Sequence, residues 1–140
     1  NDAIKAIQIL KKNIVLYPDY TDNFIQLSNA YSQLKQFWEA KNILLQVLEL
    51  DPNNDIGYNN LAYLCWANLQ EYSEALIYIK KALVLKPQNT IYWHTLAEVE
   101  WYGFQHKAKA LEALKMAMEI NPDYTAALDM INEINNFNIQ

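Results

Sequence analysis

The sequence predicts an all-α solenoid of about eight helices, arranged as antiparallel pairs that stack on one another. One observation is a recurring proline: Pro18, Pro52, Pro87 and Pro122 follow one another at intervals of 34, 35 and 35 residues. Another is that the apolar residues between these prolines recur at helical spacing, in two runs separated by a short break. A fixed period of this length is typical of stacked helical arrays, because one helix pair cannot bury its apolar face alone.

The segment between Pro18 and Pro52 shows how each pair is built. Residues 21–34 carry apolar side chains on one helical face, and residues 37–50 repeat that periodicity after a break at residues 35–36. Proline ends the second helix of the pair because it cannot continue the hydrogen-bond ladder. The Asp, Asn or Thr that follows each proline is expected to cap the next helix.

The three full segments resemble the tetratricopeptide repeat. That pattern runs through a large aromatic residue, a Leu beside a small residue, a second aromatic residue, Ala, a large apolar residue and Pro. The matching residues are, in chain order, Phe24, Leu27, Ser28, Tyr31, Ala40, Leu44 and Pro52; then Tyr58, Leu61, Ala62, Cys65, Ala75, Ile79 and Pro87; then Trp93, Leu96, Ala97, Glu100, Ala110, Leu114 and Pro122. The resemblance implies a right-handed superhelical path.

The repeat pattern divides the whole chain. Residues 1–20 match the second helix of a truncated repeat, residues 21–54, 55–89 and 90–124 are full repeats, and residues 125–140 are a C-terminal capping helix or the start of another repeat. Small residues inside each repeat are expected to let the two helices approach closely. They are Ser28, Ala62 and Ala97 on the first helices and Ala40, Ala75 and Ala110 on the second.

The second and third repeats each carry one extra residue between their helices, near residues 66–72 and 101–107. The extra residue is expected to lengthen the first helix or its turn. It leaves Glu100 in the second aromatic position and Trp101 one step later. A charged side chain is not expected to be buried without a partner. Either Glu100 points outward while Trp101 turns in, or the helix end is irregular.

Composition excludes several classes of function. The net charge of −5 makes nucleic acid and anionic membranes poor partners, and no apolar run approaches the ~20 residues of a membrane span. The single Cys65 is expected to pack in the core as a small apolar residue, and no Cys or His has metal-ligand spacing. His94 and His106 lie on different predicted helices without a nucleophile beside them. We therefore predict no enzymatic activity, no metal and no cofactor.

The resemblance implies that the first helices line a concave groove. All eleven basic residues are Lys, and none lies in the first-helix stretches 21–34, 55–68, 90–103 and 125–138. Acidic residues do occur there: Asp22, Asp55, Glu98, Glu100, Asp129 and Glu133. The predicted groove is therefore uncharged at its N-terminal end and acidic at its C-terminal end, which favours a neutral to basic ligand.

Chaperone-binding members of the family clamp an acidic C-terminal tail with basic residues and asparagines on successive first helices. The matching positions here hold Ile25, Asn29, Asn60, Ile91 and Thr95. Both asparagines are present and the three basic residues are missing. Binding of chaperone C-terminal tails is therefore not expected, because a terminal carboxylate would meet no cation.

The predicted function is non-catalytic binding of a protein or peptide segment in this groove. The alternatives are a substrate-recruiting arm of a larger enzyme, or a scaffold that self-associates. The predicted groove residues combine amides, which can bond peptide backbone, with aromatic and acidic side chains. They are Gln26, Asn29, Asn59, Asn60, Tyr63, Trp66, His94, Glu98, Trp101 and Glu133.

Overall fold

The computed structural model describes residues 2–137, which form helices and no strand. Asn1 and residues 138–140, which the sequence assigns to the first and last segments, lie outside the described residues. The α-helices are α1 (Asp2–Leu16), α2 (Thr21–Gln33), α3 (Phe37–Leu50), α4 (Asp55–Leu64), α5 (Tyr72–Leu85), α6 (Thr90–Glu98), α7 (Lys107–Ile120) and α8 (Thr125–Asn136). Two π-helical turns continue α4 and α6: the first π turn is Cys65–Leu69 and the second is Val99–Gly103.

Neighbouring helices pack in chain order. The pairs α2–α3, α4–α5 and α6–α7 have the most extensive contacts, and each pair packs on the next through α3–α4 and α5–α6. Helix α1 covers α2 at one end, and α8 covers α7 at the other. The prediction of an all-α solenoid of eight helices is confirmed. The repeat boundaries drawn from the sequence stay a prediction.

Asparagine caps begin two of the first helices. Asn54 Oδ1 accepts a hydrogen bond from the Gly57 N–H at 2.8 Å, and Asn89 Oδ1 accepts one from the Ile91 N–H at 3.0 Å. Each cap follows a proline by two residues, as the sequence predicts. The same prediction is wrong for α2 and α8, whose N-cap residues are tyrosines with no side-chain cap bond. In both cases the expected Thr is already the first residue of the helix.

The small residues are fully enclosed by their helix pairs. Ala97 and Ala110 share one core cluster with Leu114 and Ala117, and none of the four has exposed surface. The remaining small residues are also at most 1% exposed: Ser28, Ala40, Ala62 and Ala75. Since no space surrounds these side chains, larger residues there would push the helices apart.

The extra residue of the second and third pairs is accommodated by the π turns. In the first pair, the N–H of Gln36 reaches back five residues to the carbonyl of Tyr31, at 2.9 Å. In the second pair, the N–H of Glu71 reaches back six residues to the carbonyl of Cys65, also at 2.9 Å. The third pair repeats the six-residue link. Each insertion is therefore absorbed inside the first helix as a wider turn.

The end of α6 is irregular, and Glu100 is buried there. Its side chain is 5% exposed, and Oε2 lies 2.8 Å from Nδ1 of His106. The second π turn therefore selects the latter of the two alternatives left open by the sequence: the helix end is irregular, and Glu100 does not point outward. Trp101 is buried as well, at 8% exposure. The wider π turn lets both neighbouring side chains face inward, and His106 supplies the partner that a buried carboxylate needs.

A left-handed residue ends each first helix. Lys35, Gln70 and Gln105 have φ values of 59°, 59° and 55°, and each stands two residues before the next helix. A residue with a Cβ adopts this conformation at a cost of about 1 kcal/mol. All three pairs therefore reverse the chain by the same backbone device, in spite of the extra residue in two of them.

Candidate functional site

The first helices form one continuous surface. Helix α4 contacts α6 directly, and the two π turns contact each other. Side-chain bonds also join first helices, as where the Tyr92 hydroxyl donates to Asp55 Oδ2 at 2.6 Å. We call the exposed side of α2, α4, α6, α8 and the π turns the inner surface. It is the side on which the sequence places the predicted groove.

A polar cleft of about 440 Å³ lies between α2 and α4 on this surface. We call it the amide cleft. It brings together four of the predicted groove residues, Asn29, Asn59, Asn60 and Tyr63. Its other lining residues are Ser28, Ser32, Gln33, Leu44, Leu64 and Asn68.

The amide cleft is polar without being charged. Five of its side chains are carboxamides, and none is an acid or a base. Ser28 is not available to a ligand as a donor, because its hydroxyl donates to the Ile25 carbonyl at 2.7 Å. Asn59 Oδ1 is buried and has no hydrogen-bond partner among residues 2–137. An amide offers both a donor and an acceptor, so such a lining suits the N–H and C=O groups of a peptide backbone.

Aromatic side chains continue the inner surface from the amide cleft to α8. The Tyr63 and Trp66 rings meet edge to face with centroids 5.7 Å apart, and Trp66 stacks on Tyr102 at 5.4 Å. The Tyr102 hydroxyl donates to both carboxylate oxygens of Glu133, at 2.8 and 3.0 Å. Burial, and to a smaller extent this hydrogen bond, raises the pKa of Tyr102 to about 12. We call Tyr63, Trp66 and Tyr102 the aromatic row.

His94 and Glu98 form a nearly neutral pair on α6. Their Nε2 and Oε1 atoms are 3.8 Å apart, and their side chains are 15% and 21% exposed. Burial raises the pKa of Glu98 to about 7 and lowers the pKa of His94. Near pH 7 the carboxyl is therefore only partly ionised and the imidazole is neutral. The C-terminal end of the inner surface is less acidic than the sequence suggests, because Glu98 is desolvated.

Two predicted residues lie apart from these features. Gln26 is exposed on α2 but does not line the amide cleft. Trp101 belongs to the core cluster around Ala110 and Leu114, and its ring meets Phe137 edge to face at 5.3 Å. Its burial leaves little surface to offer a ligand.

The structure adds residues that the predicted set omits. Asn68 lines the amide cleft from within the first π turn, and Tyr102 extends the aromatic row from the second. The extra residue in the second and third repeats is the sequence feature that could have indicated these two residues. Its effect on side-chain direction, however, depends on where along the helix the wider turn forms. Ser32 and Gln33 complete the cleft from the last turn of α2.

Cys65 lies beside an ion cluster that joins two helix pairs. Lys41 on α3 donates to Glu71 at 2.6 Å and to Glu74 at 2.8 Å. Burial would lower the pKa of Lys41, but the two hydrogen bonds outweigh it and raise the pKa. The Cys65, Glu71 and Glu74 ligand atoms lie within 4.8 Å of one another. They do not fit a metal ion, because the Lys41 ammonium already pairs with both carboxylates and burial raises the pKa of the Cys65 thiol to about 12.

The sequence profile of the tetratricopeptide repeat matches residues 21–54 and 57–89. These two stretches are repeats of the tetratricopeptide repeat family. Proteins of this family are generally non-catalytic scaffolds for protein–protein interaction. The sequence has no significant match among curated proteins. Within residues 2–137, no helix has the length and apolar character to cross a membrane.

Solved structures share the tetratricopeptide repeat fold of this chain. A crystal structure of MamA has a TM-score of 0.83 at 21% identity, covering 95% of this chain and 77% of MamA. A MamA structure from Desulfovibrio magneticus RS-1 has a TM-score of 0.84 at 18% identity, with 96% and 75% covered. The first such domain of Spaghetti (RPAP3), bound to the HSP90 peptide SRMEEVD, has a TM-score of 0.78 at 17% identity, with 86% and 94% covered. At these identities the likeness shows the fold alone.

Proposed function

We propose that the inner surface binds an extended segment of another protein. The amide cleft carries this proposal, since its five uncharged carboxamides face a space large enough for several peptide groups. Amides bond main-chain groups regardless of side-chain sequence. The aromatic row adjoins the cleft and adds broad, rigid contact area at a small entropy cost. Tyr63 belongs to both features and links them.

The charge of the inner surface favours a neutral or basic ligand. None of the first helices or π turns carries a Lys, and Glu133 is exposed at the end of the aromatic row. Glu98 adds negative charge only as the pH rises past its pKa of about 7. A basic side chain of the ligand would lie beside Glu133, beyond Tyr102.

An acidic tail is not expected to bind this surface. RPAP3, which has the same fold, is bound to the acidic HSP90 peptide SRMEEVD. At the positions where chaperone-binding members of the family carry basic residues, this chain has Ile25, Ile91 and Thr95, and Thr95 is buried. A carboxylate placed there would lose water without gaining a cation.

We also propose that the chain has no catalytic activity of its own. Cys65 is a poor nucleophile because it is fully buried and its pKa is raised. His94 has a lowered pKa and lies beside Glu98 and the Tyr124 ring, and His106 is held against the buried Glu100. None of these groups is aligned with a nucleophile in the way that catalysis requires.

Self-association is a second candidate, favoured by apolar side chains on α1. Ile4, Ile9 and Leu16 are 50%, 59% and 69% exposed. Light scattering at two concentrations tests it, and an unchanged monomer mass would exclude it. A role as the recruiting arm of a larger enzyme stays a prediction.

The proposed binding can be tested with peptides selected from a random library on the immobilised chain. Asn60→Ala and Tyr63→Ala should each weaken the selected peptides by roughly thirtyfold, as interface hot spots do. Asn42→Ala and Tyr17→Ala are matched controls, because Asn42 is exposed on the second helix α3 and Tyr17 is exposed directly after α1. Equal binding to all four variants would refute the proposal.

A further inference from the structure

A second cleft lies on the other side of the solenoid, where the end of α5 meets the start of α4. Its volume is about 280 Å³, and we call it the outer cleft. The lining residues are Pro52, Tyr58, Lys80, Lys81, Val84 and Leu85. Its walls are almost entirely apolar, more so than those of the amide cleft, and it includes two lysines, whereas the amide cleft has no charged side chain.

The outer cleft combines an exposed apolar side chain with two ammonium groups. Val84 is 82% exposed, which leaves nearly all of its apolar surface in water. Lys81 Nζ lies 5.4 Å from the centre of the Tyr58 ring, a cation–π distance. Neither Lys80 nor Lys81 forms an ion pair with any residue between 2 and 137. The positive charge at this site therefore has no carboxylate to neutralise it.

Equivalent positions in the other pairs show that this combination is not a requirement of the repeat. The residue three before each proline is Glu49 in α3, Val84 in α5 and Glu119 in α7. In α7 this Glu pairs with Lys115 at 3.6 Å. An acid is thus compatible with the fold at this position, whereas α5 has Val there together with two lysines three and four residues earlier, where α7 has one lysine and α3 has none.

Helix α1 repeats the same combination without the cleft. Residues 11–18 read KKNIVLYP and residues 80–87 read KKALVLKP. Val15 is 80% exposed, much as Val84 is. The walls of the outer cleft, however, come from Pro52, which precedes α4, and from Tyr58 in α4 itself. Among residues 2–137, no helix takes the place beside α1 that α4 takes beside α5, so within these residues α1 has the charges and the Val without the walls.

We propose that the outer cleft binds an acidic segment of a partner protein that carries one bulky apolar side chain. The apolar side chain packs against Val84, Leu85 and Pro52, and flanking carboxylates pair with Lys80 and Lys81. Charge complementarity supports this occupant, because Lys80 and Lys81 have no carboxylate partner among residues 2–137 although the chain as a whole has a net charge of −5. This site is separate from the inner surface, which takes a neutral or basic segment.

The test is fluorescence anisotropy with a short synthetic peptide, labelled, in which a central Leu is flanked by Asp and Glu. Wild-type chain should bind it at low salt and lose affinity as salt is added. Val84→Glu should weaken binding at least roughly tenfold, since it removes the apolar contact and adds a like charge. Lys80→Gln with Lys81→Gln should have a similar effect. Neither change should alter the melting temperature, because these side chains are exposed.

Matched controls come from α1 and from the peptide. Val15→Glu, and Lys11→Gln with Lys12→Gln, make the same changes where the walls are missing and should leave binding unchanged. A peptide with Ser in place of Leu should bind at least tenfold more weakly. Failure of the wild type to bind, or equal losses in both sets of variants, would overturn the proposal. The proposal would also fail if the wild-type chain forms a dimer without binding the peptide and Val84→Glu abolishes that dimer. The outer cleft would then be an interface between two copies of the chain.

Discussion

Replacing Gly103 with Ala is expected to destabilise the fold, although alanine is the better helix former. Gly103 closes the second π turn, and its φ is not positive, so its backbone conformation does not require glycine. The requirement is space. A Cβ at this position would lie 2.9 Å from Cγ and Cδ1 of Tyr72 and 3.0 Å from its Cβ.

The size of the effect follows from these distances. Carbon atoms pack best at about 3.5–4.0 Å, so the Tyr72 ring would have to move by more than half an ångström. Phe104 meets that ring edge to face at 6.3 Å and restricts the movement. Overpacking costs about 1–3 kcal/mol, and the gain from replacing glycine in a helix is about 0.5–1 kcal/mol. The net loss of unfolding free energy is ~1–2 kcal/mol, or a fall in melting temperature of roughly 3–8 °C.

Thermal melting followed by circular dichroism measures the change. The contact with Tyr72 is isolated by a double-mutant cycle with Tyr72→Ala. On that background Gly103→Ala should be neutral or slightly stabilising, because the ring is gone and only the helix preference remains. A single variant that melts at or above the wild-type temperature would refute the reasoning. So would a cost that persists after Tyr72 is removed.

Four further outcomes are expected. Ala75→Leu should lower the melting temperature through ~1–3 kcal/mol of overpacking, while Ala108→Leu, at an exposed position, should not. Gln70→Gly should raise the unfolding free energy by up to about 1 kcal/mol in chemical denaturation, because glycine adopts φ 59° without strain. Glu98 has a raised pKa, so the stability it contributes is complete below about pH 4.5 and is lost as the pH rises to about 7. Between pH 5 and pH 8, the free energy of unfolding of Glu98→Gln should therefore rise by ~1–3 kcal/mol relative to that of wild type. A difference between the two that does not vary with pH would contradict this. Calorimetry with SRMEEVD on the Val84→Glu variant, in which the outer cleft is blocked, should show no more binding than with its scrambled version, and salt-sensitive micromolar binding to that variant would contradict the proposed charge of the inner surface.

Local chemistry explains why the sequence was sufficient for much of the fold. Apolar spacing, the four prolines and the short breaks act within one or two turns of helix, so they predict helix type and order directly. Small residues at Ala40 and Ala62 recur with the repeat and indicate where helices approach. The asparagines and Tyr63 lie on adjacent first helices, and the repeat register alone was enough to place them near one another.

Other features depend on which helix an inserted residue widens and on what then surrounds each side chain. The sequence shows one extra residue near Trp101, but only the packed α6–α7 pair decides that a π turn absorbs it and turns Glu100 inward against His106. The bond from Tyr102 to Glu133 joins the second π turn to α8, and the two residues are 31 positions apart in the chain. Burial, rather than residue type, moves the pKa of Glu98 to about 7. The sequence by itself therefore determined the helices and their pairing, and the resemblance to the repeat family implied which side would carry the groove. Only the tertiary structure decided which of those side chains stay in water, because desolvation and contact depend on all the neighbouring helices at once.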